Sequence, residues 1–542
     1  LILKKHDTST HRTNLLTLFF DKFNNAYTNT ATQYQHLLRL IINRRVLTGL
    51  VLVIFCLATG FLGKILPTGF IPNEDQGTFY VSVTTPAGAT LERTKEVVND
   101  IQEIAQKVES IESVSSLAGT NILSDGTGAT YGTLLINLKS WEQRSQSVNE
   151  VIEELEGKIR HIKAASIELF PPPAVPGYGN ASGFELRLLD KTGTGNLNNQ
   201  DKVTEKFIAD LKARTEIAAA FTIFDAGFPQ YLLVMDEDLA AQKGVTVNNV
   251  MGTLQTLLGS EYATNFIRFG QMYKVMVQAL PQYRAKPEDI LKFYVKNKEG
   301  EMIPLSAFTR LEKVYGVDQM TRYNMFPSSE LNGEPKEGYS SGDAIKAIQE
   351  VAQTKLPKGY DIDWAGITRD EVAAGNEAIY IFLLCLLFVY LLLSAQYESF
   401  LLPLPVMLSL PIGICGALFF LWLLGLENNI YAQIAMIMLI GLLGKNAILI
   451  VEFAAMQQKQ GLSPAEAAVE AATLRLRPIL MTSFAFIVGL IPLVLATGAG
   501  ALGNKTIGTA AAGGMFFGTI FGLLIIPGLY YIFARKSKVD TI

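Results

Sequence analysis

The stretch Gly441-Leu-Leu-Gly-Lys-Asn-Ala-Ile-Leu-Ile-Val-Glu-Phe453 decides the fold class. It lies inside an apolar run from about Ile430 to Ala455, which is long enough to cross a bilayer as an α-helix. Near the middle of this run stands Lys445, followed by the polar Asn446, and Glu452 lies two turns further along the same face. Charged residues at this depth cost about 3 kcal/mol or more, and they usually face the interior of a helix bundle and carry function.

An alternative is that Lys445 extends its side chain to the lipid headgroups. The residue lies roughly 15 residues, or about 22 Å, from one end of the run, which is too deep for that. A buried ammonium group needs a carboxylate at similar depth, but the apolar runs offer only Glu452 on the same helix and Glu398 and Glu427 at run ends. Lys445 is therefore either neutral or paired with a segment outside this sequence. We favour the second alternative because an unpaired buried charge is so costly.

The composition is typical of a polytopic membrane protein with a large water-soluble part. Of the 542 residues, 49% are hydrophobic and 18% are charged, and the mean hydropathy is +0.25. The net charge of -4 and the lack of a basic block argue against a nucleic-acid partner. The three cysteines all lie in apolar runs, so the soluble stretch needs no disulfides. The chain begins at Leu1 without a signal peptide, which indicates a piece of a longer protein.

Six apolar segments are predicted to span a lipid bilayer. They are Val46 to Ile65, Ala378 to Gln396, Leu401 to Leu426, Ile430 to Ala455, Pro478 to Ala496 and Ile507 to Phe533. Residues 11 to 45 have the spacing of an amphipathic helix on a membrane surface, and Arg44 and Arg45 place that side in the cytoplasm. Residues from 66 to about 375 then lie on the far side of the membrane.

This soluble region contains the pattern strand, helix, strand, strand, helix, strand, which we predict to occur twice. The first copy has strands at 78–84, 110–117, 133–138 and 165–169, with helices at 89–106 and 148–162. The second has strands at 184–189, 220–224, 231–235 and 273–277, with helices at 200–214 and 247–257. The pattern is the ferredoxin-like signature. The predicted fold is an α-helical polytopic membrane protein with six spans and a large α+β region of repeated ferredoxin-like βαβ subdomains that flank a cleft.

Two further features of the spans concern chemistry and packing. Thr482 lies one to two turns into its span, after Arg475 and Arg477. Its hydroxyl either bonds its own helix carbonyl or relays and orients a proton beside Lys445. Glycines at a spacing of four along the last span predict close helix packing; they are Gly514, Gly518 and Gly522.

Enzymatic catalysis has no support in the sequence. Gly503-Asn-Lys-Thr506 lacks the Gly-Lys adjacency of a phosphate loop. The four histidines are scattered, without metal-ligand spacing or a Ser-His-Asp arrangement. We expect neither a metal site nor a cofactor.

Four motifs are similar to those of the resistance–nodulation–cell division (RND) efflux pumps, in the hydrophobe/amphiphile branch typified by the acriflavine-resistance pump. They are Leu66-Pro-Thr-Gly-Phe-Ile-Pro-Asn-Glu-Asp-Gln-Gly77, Pro86-Ala-Gly-Ala-Thr90, Gly444-Lys-Asn-Ala-Ile-Leu-Ile-Val-Glu-Phe453 and Leu476-Arg-Pro-Ile-Leu-Met-Thr482. The resemblance covers nearly the whole chain, which matches the second half of such a pump.

The resemblance implies a homotrimer in the inner membrane of a Gram-negative bacterium, with residues about 66–376 in the periplasm. It implies proton-driven export of drugs, detergents or bile salts through a periplasmic adaptor and an outer-membrane channel. Lys445, Thr482, Arg475 and Asn446 match the proton relay, whose aspartates would belong to the N-terminal half of the pump. The implied domains are an interfacial helix at 1–45, a span at 46–65, a porter subdomain at 66–182, a second porter subdomain at 183–227 and 313–375, a docking subdomain at 228–312, five spans at 376–534 and a cytoplasmic tail at 535–542.

The substrate pocket departs from the family pattern. Where its best-known members are rich in phenylalanine, this chain has Ser115, Leu117, Thr120, Ile122 and Leu135, and the proline-rich entrance stretch begins at Phe170. The pocket therefore offers little aromatic stacking. One alternative function is RND export of metal ions, which the dispersed methionines disfavour. Another is a sensor or scaffold without transport, which would have no reason to keep a charge at Lys445.

Overall fold

The computed structural model describes residues 15–124, 126–336, 338–375 and 377–534. The predicted interfacial segment before residue 15 and the predicted tail at 535–542 lie outside these described residues. In the described part the helices are α1 (Leu15–Asn43), α2 (Arg45–Ile65), α3 (Leu91–Ala105), α4 (Val148–Ile159), α5 (Leu197–Lys212), α6 (Glu237–Gln242), α7 (Val247–Leu254), α8 (Ser341–Lys355), α9 (Gly366–Ala374), α10 (Glu377–Tyr397), α11 (Leu404–Leu423), α12 (Ile430–Lys459), α13 (Pro464–Val494) and α14 (Ala501–Ala534). The strands are β1 (Thr78–Thr84), β2 (Ile111–Asn121), β3 (Gly126–Leu138), β4 (Ser166–Phe170), β5 (Phe184–Asp190), β6 (Ile217–Thr222), β7 (Phe228–Met235), β8 (Glu261–Arg268), β9 (Gln271–Val277), β10 (Tyr294–Lys296), β11 (Met302–Pro304), β12 (Thr309–Gly316), β13 (Thr321–Tyr323), β14 (Phe326–Pro335) and β15 (Tyr360–Trp364).

Six of the described helices, α2 and α10 to α14, are long and apolar enough to cross a membrane. This confirms the six predicted apolar helices, although α13 begins about four turns before the predicted start of its span. Helices α11, α12 and α14 form the centre of the bundle, because 56% of the residues in the most apolar 18-residue stretch of each are buried. In α2, α10 and α13 the buried share is only 6 to 11%. Wide apolar faces of these three helices are thus left for lipid or for further helices.

Small residues allow α11 and α14 to approach each other closely. A Cβ atom built on Gly413 would lie 3.3 Å from the carbonyl oxygen of Gly514, and one built on Gly416 would lie 2.7 Å from that of Gly513. A Cβ on Gly518 would meet the side chain of Leu443 on α12. The predicted close packing of the glycine-rich last helix is therefore present, and it involves glycines of α11 as well.

Helix α1 is the described part of the predicted amphipathic segment. It ends at Asn43, and a separate helix begins at Arg45. Leu38 and Ile42 are buried in the same apolar cluster as residues of α13 and α14, and the Tyr34 hydroxyl donates to the carbonyl of Leu523 at 2.7 Å. One face of α1 thus packs against the bundle.

The first β unit comprises β1, α3, β2, β3, α4 and β4. Its sheet has the order β2-β3-β1-β4, with every neighbouring pair antiparallel. Helices α3 and α4 cover one face of the sheet, where apolar side chains such as Val81, Ile101, Leu134 and Leu155 form a buried core. All six elements predicted for the first copy are present, and the largest difference is a longer β3.

The second β unit comprises β5, α5, β6, β14, α8 and β15. Strand β14 lies between β5 and β6, and β15 pairs with the other edge of β5. The order β6-β14-β5-β15 repeats that of the first β unit. The first three predicted elements of the second copy are present. The predicted closing elements at 231–235, 247–257 and 273–277 also exist, as β7, α7 and β9, but their assignment to this unit is wrong. The alternation of apolar and polar residues identifies a strand but not its partner. The partner of β6 is β14, which lies far along the chain, with Thr222 opposite Leu331.

The misassigned elements belong to an inserted unit between β6 and β13. Strand β7 pairs with β12 over eight residues, and β8 and β9 form a separate hairpin. Short strands β10 and β11 form another hairpin. This unit has its own small apolar core, built from residues that include Val250, Leu305 and Phe308.

Candidate functional site

Lys445 lies on an exposed stripe of the central helix α12. The stripe consists of Ile434, Met438, Gly441, Lys445, Glu452 and Met456, which recur at intervals of three, four or seven residues and so share one helix face. The opposite face, with Leu439, Leu443 and Ala447, is buried in the bundle. Among the described residues, none forms an ion pair or a hydrogen bond with the Lys445 ammonium group.

Asn446, the next residue, points into the bundle instead. Its side chain is 6% exposed, and its Nδ2 donates to Ser483 Oγ on α13 at 3.2 Å and lies 4.0 Å from Met515 Sδ on α14. A buried amide of this kind holds three helices in a fixed register. Ser483 was not singled out from the sequence. The signal for it was its position four residues after the apolar Ile479, on the buried face of α13.

Thr482 and Arg475 have different surroundings. Thr482 is exposed, and its Oγ1 donates to the carbonyls of Pro478 and Ile479 at 3.1 and 3.0 Å. It thus bonds its own helix, one of the two alternatives weighed above. The Arg475 guanidinium stacks over the Phe453 ring of α12 at 4.6 Å, and its Nε has no hydrogen-bond partner among the described residues. No hydrogen bond joins either residue to Lys445 in the described part of the chain.

The segment after α2 connects the bundle to the first β unit. The backbone of Asn428 donates to Pro67 at 2.9 Å, and that of Ile430, the first residue of α12, donates to Phe70 at 3.1 Å. The Glu74 carboxylate accepts from the backbone of Gly503 in the first turn of α14 at 2.9 Å. The next residue, Asp75, forms an ion pair with the buried Arg144. The same short segment is therefore bonded to two central helices and to the β-rich region.

Asp75 and Arg144 form an ion pair at the base of the first β unit. Asp75 Oδ1 accepts from Arg144 Nη2 at 2.5 Å and from the backbone of Gly77 at 2.9 Å, and Oδ2 accepts from Val148 at 3.1 Å. Burial alone would raise the pKa of Asp75, but these hydrogen bonds and the charge of Arg144 hold it below its ordinary value. The exposed fraction of the Arg144 side chain is only 2%.

The open faces of the two β units meet at a pair of phenylalanines. On the first sheet, Ser115 pairs with Leu135, Leu135 with Tyr80, and Tyr80 with Phe170, so these four form one row across the strands. Phe170 is 1% exposed, and its ring centroid is 6.3 Å from that of Phe221 on β6. The face of the first sheet that is not covered by helices is therefore turned toward the second β unit.

Beside this contact lies a cleft of about 590 Å³ between the two β units. The first β unit and its loops contribute Ser82, Thr84, Thr85, Pro86, Ala87, Leu123, Ser124, Thr130, Tyr131, Lys163, Ala165, Ser166 and Glu168. The other wall consists of Thr222, Ile223, Phe224, Asp225, Phe228, Asp318, Gln319, Thr321 and Glu330. The volume suits a drug-sized ligand.

The structure brings three of the six predicted pocket residues, Ser115, Leu135 and Phe170, into one row, while none of the six lines this cleft. Leu117 follows two positions along the same face of β2 and is 50% exposed. Thr120 pairs with Thr127 at the far end of the hairpin, and Ile122 follows β2. The cleft is instead lined by neighbours on the same sheet face, such as Tyr131 and Glu168, which no motif marked. They are recognisable only once the strand register is known.

Comparison with known proteins agrees with this arrangement. Six helices that are long and apolar enough to cross a membrane, joined to a large β-rich region, fit a fragment of a membrane transporter. The sequence profile of the AcrB/AcrD/AcrF family matches residues 1–534, and the chain belongs to this family of RND efflux transporters.

Three relatives illustrate the similarity. The toluene efflux pump membrane transporter TtgB of Pseudomonas putida is 37% identical over 518 residues, which cover 95% of this chain and 49% of the relative. The multidrug resistance protein MdtF of Escherichia coli is 35% identical over 547 residues, covering 99% of this chain and 52% of the relative. The multidrug export protein AcrF of Escherichia coli is 35% identical over 533 residues, covering 96% and 51%. The chain spans about half the length of the curated relatives it matches.

Proposed function

We propose that this chain forms the second half of an RND pump that exports hydrophobic or amphiphilic compounds in exchange for protons. One observation carries the proposal: Lys445 lies on an exposed stripe of a central helix and has no carboxylate partner among the described residues. A charge in that position is costly in a membrane unless it is paired. The N-terminal half of the pump would cover the stripe and supply the carboxylate.

In this proposal the proton changes the attraction between Lys445 and its partner. When the partner carboxylate takes up a proton, the ammonium group loses its counter-charge, and the balance of forces on α12 changes. Asn446 anchors the buried face of α12 through Ser483. Thr482 and Arg475 would be further members of the relay. The stacking of Arg475 on Phe453 supports a role that couples α13 to α12, and Thr482 would join the relay only by exchanging the bonds that its hydroxyl makes to its own helix.

Movement of α12 would reach the β-rich region through the segment after α2. The hydrogen bonds from Asn428 to Pro67 and from Ile430 to Phe70 support this route, because they attach the start of α12 to that segment. The bond between Glu74 and Gly503 attaches α14 to it in the same way. A helix shift at the bundle would thus change the position of the first β unit.

We further propose that the two β units are ferredoxin-like porter subdomains in the periplasm of a Gram-negative bacterium. The repeated strand orders β2-β3-β1-β4 and β6-β14-β5-β15 support this assignment. The inserted unit would be the docking subdomain that meets an outer-membrane channel, with a periplasmic adaptor and two further copies of the pump completing the assembly. Substrates would pass through the cleft between the β units toward the row at Ser115 and Leu135.

The test is drug susceptibility in a Gram-negative host that lacks its own pumps. The complete pump carrying this chain is compared with its Lys445→Ala variant, and Met438→Ala on the same exposed stripe serves as the matched control. Resistance is expected to fall to the level of the empty host for Lys445→Ala, because the relay loses its cation. It is expected to persist for Met438→Ala.

Trimer assembly and membrane level are measured for both variants by gel filtration and immunoblotting. Retained resistance in the Lys445→Ala variant would contradict the relay. Equal susceptibility of the wild-type pump and the empty host to every compound would contradict export itself and favour a sensor or scaffold.

A further inference from the structure

The charges around the cleft between the β units are unbalanced. Its lining includes four carboxylates and one ammonium group. The carboxylates belong to Glu168, Asp225, Asp318 and Glu330, and the ammonium group to Lys163. Glu330 is ion-paired, since its carboxylate accepts from the guanidinium of Arg187 at 2.5 Å, although the same guanidinium also pairs with Glu185 at 3.0 Å. The remaining three form no ion pair with any lysine or arginine in the described part of the chain.

Two of these three carboxylates, those of Asp318 and Asp225, are held in position by hydrogen bonds. Asp318 Oδ2 accepts from the Tyr131 hydroxyl at 2.6 Å, and this bond joins the two sides of the cleft. Asp225 Oδ1 accepts from the backbone of Gly227 at 2.6 Å. Glu168 lies on the open face of the first sheet opposite Ser82. Burial raises the pKa of Glu168, while Lys212 at longer range opposes the shift.

The rest of the lining combines apolar and aromatic groups with these charges. Phe224, Phe228 and Ile223 line one wall, and Tyr131 and Pro86 line the other. Aromatic faces attract cations, by about 1 kcal/mol or more when the cation is desolvated. Apolar surface beside them binds the hydrophobic part of an amphiphile.

We infer that this cleft selects cationic amphiphiles over neutral and anionic ones of similar size. This inference rests on the proposed function, since it assigns a substrate class to the same export route. The hydrophobic part of the ligand packs on Phe224 and Phe228, and its cation lies among Glu168, Asp225 and Asp318. An anionic detergent or bile salt meets the same carboxylates with the wrong sign of charge. Lys163 acts in the opposite direction, because it repels the cation.

The test uses three probes with the complete pump: the cationic dye rhodamine 6G, the neutral dye Nile red and the anion taurocholate. The cleft variants are Glu168→Gln and Asp318→Asn, which keep the shape of each side chain and remove its charge. Glu103→Gln is the matched control, because Glu103 is an exposed carboxylate on α3 outside the cleft lining. Lys163→Gln tests the opposite sign.

Each cleft carboxylate variant is expected to lower rhodamine 6G efflux by about three- to tenfold, the effect of one partly desolvated charge interaction. Nile red efflux should change less than about twofold, and taurocholate efflux should stay equal or rise. Lys163→Gln should raise rhodamine 6G efflux, and Glu103→Gln should change none of the three. Equal losses for rhodamine 6G and Nile red, or no loss for either dye, would overturn the inference.

Equilibrium binding of both dyes to the purified pump is measured in parallel by fluorescence polarisation. The binding measurement separates the charge preference of the cleft from export by the pump. If the wild-type pump exports none of the probes, the proposed function fails, and binding alone decides on the charge preference of the cleft. Two carboxylates on opposite sides of the cleft are tested, so a folding defect in one variant leaves the other to decide.

Discussion

Replacing Gly416 by alanine should loosen the packing of α11 against α14. The added Cβ would lie 2.4 Å from the Cβ of Phe517 and 2.7 Å from the carbonyl oxygen of Gly513. Carbon atoms pack favourably at about 3.5–4.0 Å. Both neighbouring atoms are fixed to the α14 backbone, so no side-chain rotation relieves the contact and the helices must move apart. Overpacking of this kind costs about 1–3 kcal/mol.

Gly522, also on α14, provides the matched control. A Cβ at this position would meet only the Cδ1 of Ile526, at 3.5 Å, which is an ordinary contact. Alanine is favoured over glycine within a helix by about 1 kcal/mol. Gly522→Ala should therefore be neutral or stabilising, although both substitutions add the same methyl group to a buried glycine.

The assay is the loss of the monodisperse pump peak on fluorescence-detected gel filtration after heating in detergent. Gly416→Ala should lower the melting temperature by at least about 3 °C, and Gly522→Ala should leave it equal or higher. Equal melting temperatures for the wild type and Gly416→Ala would refute the argument from close approach. A larger loss for Gly522→Ala would refute it as well.

Two further predictions concern carboxylates of the β-rich region. Asp75→Asn leaves the Arg144 guanidinium, with an exposed fraction of 2%, without its counter-charge, and it should destabilise the first β unit by about 2–3 kcal/mol. Limited proteolysis should cleave the first β unit faster in Asp75→Asn than in the control Asp100→Asn, which changes an exposed carboxylate of α3. Equal cleavage rates would contradict the role of the ion pair. Glu334 accepts from Ser182 Oγ at 2.6 Å, and burial raises its pKa. The protonated Glu334 carboxyl contributes fully to the free energy of unfolding below the unfolded pKa near 4.5. This contribution is lost as the pH rises through the raised pKa of the folded state, at up to about 1.4 kcal/mol per pH unit. Glu334→Gln should therefore melt above the wild type at neutral pH, with a gap that narrows toward pH 4.5; a gap that is constant with pH would be inconsistent with this titration.

The helical part of the fold was predictable from the sequence because each membrane helix satisfies its backbone hydrogen bonds within its own segment. Apolar runs therefore identify α2 and α10 to α14 without knowledge of their neighbours. The first β unit was predictable for a related reason, since its six elements follow one another without interruption. The second β unit was not, because residues of the inserted unit separate β6 from its partner β14, and alternation within a strand carries no information about a distant partner.

The candidate relay divides in the same way. The depth of Lys445 and the lack of a carboxylate for it follow from the sequence, because depth is a matter of position within one apolar run. That Asn446 points into the bundle and donates to Ser483 follows only from the packing of α12, α13 and α14. The sequence placed polar residues near one another along the chain, and the packing decided which of them share a contact.

By itself, the sequence determined that the chain is a polytopic membrane protein, its six apolar helices and the position of Lys445 near the middle of one of them, since all three depend on local composition and periodicity. Only the tertiary structure decided which strands complete the second β unit and which residues line the cleft. Tyr131 on β3 and Asp318 in the loop between β12 and β13 lie far apart in the chain, and only the tertiary structure brings them into hydrogen-bonding distance. The charge of the cleft is a property of that meeting of surfaces, and no single segment of the chain contains it.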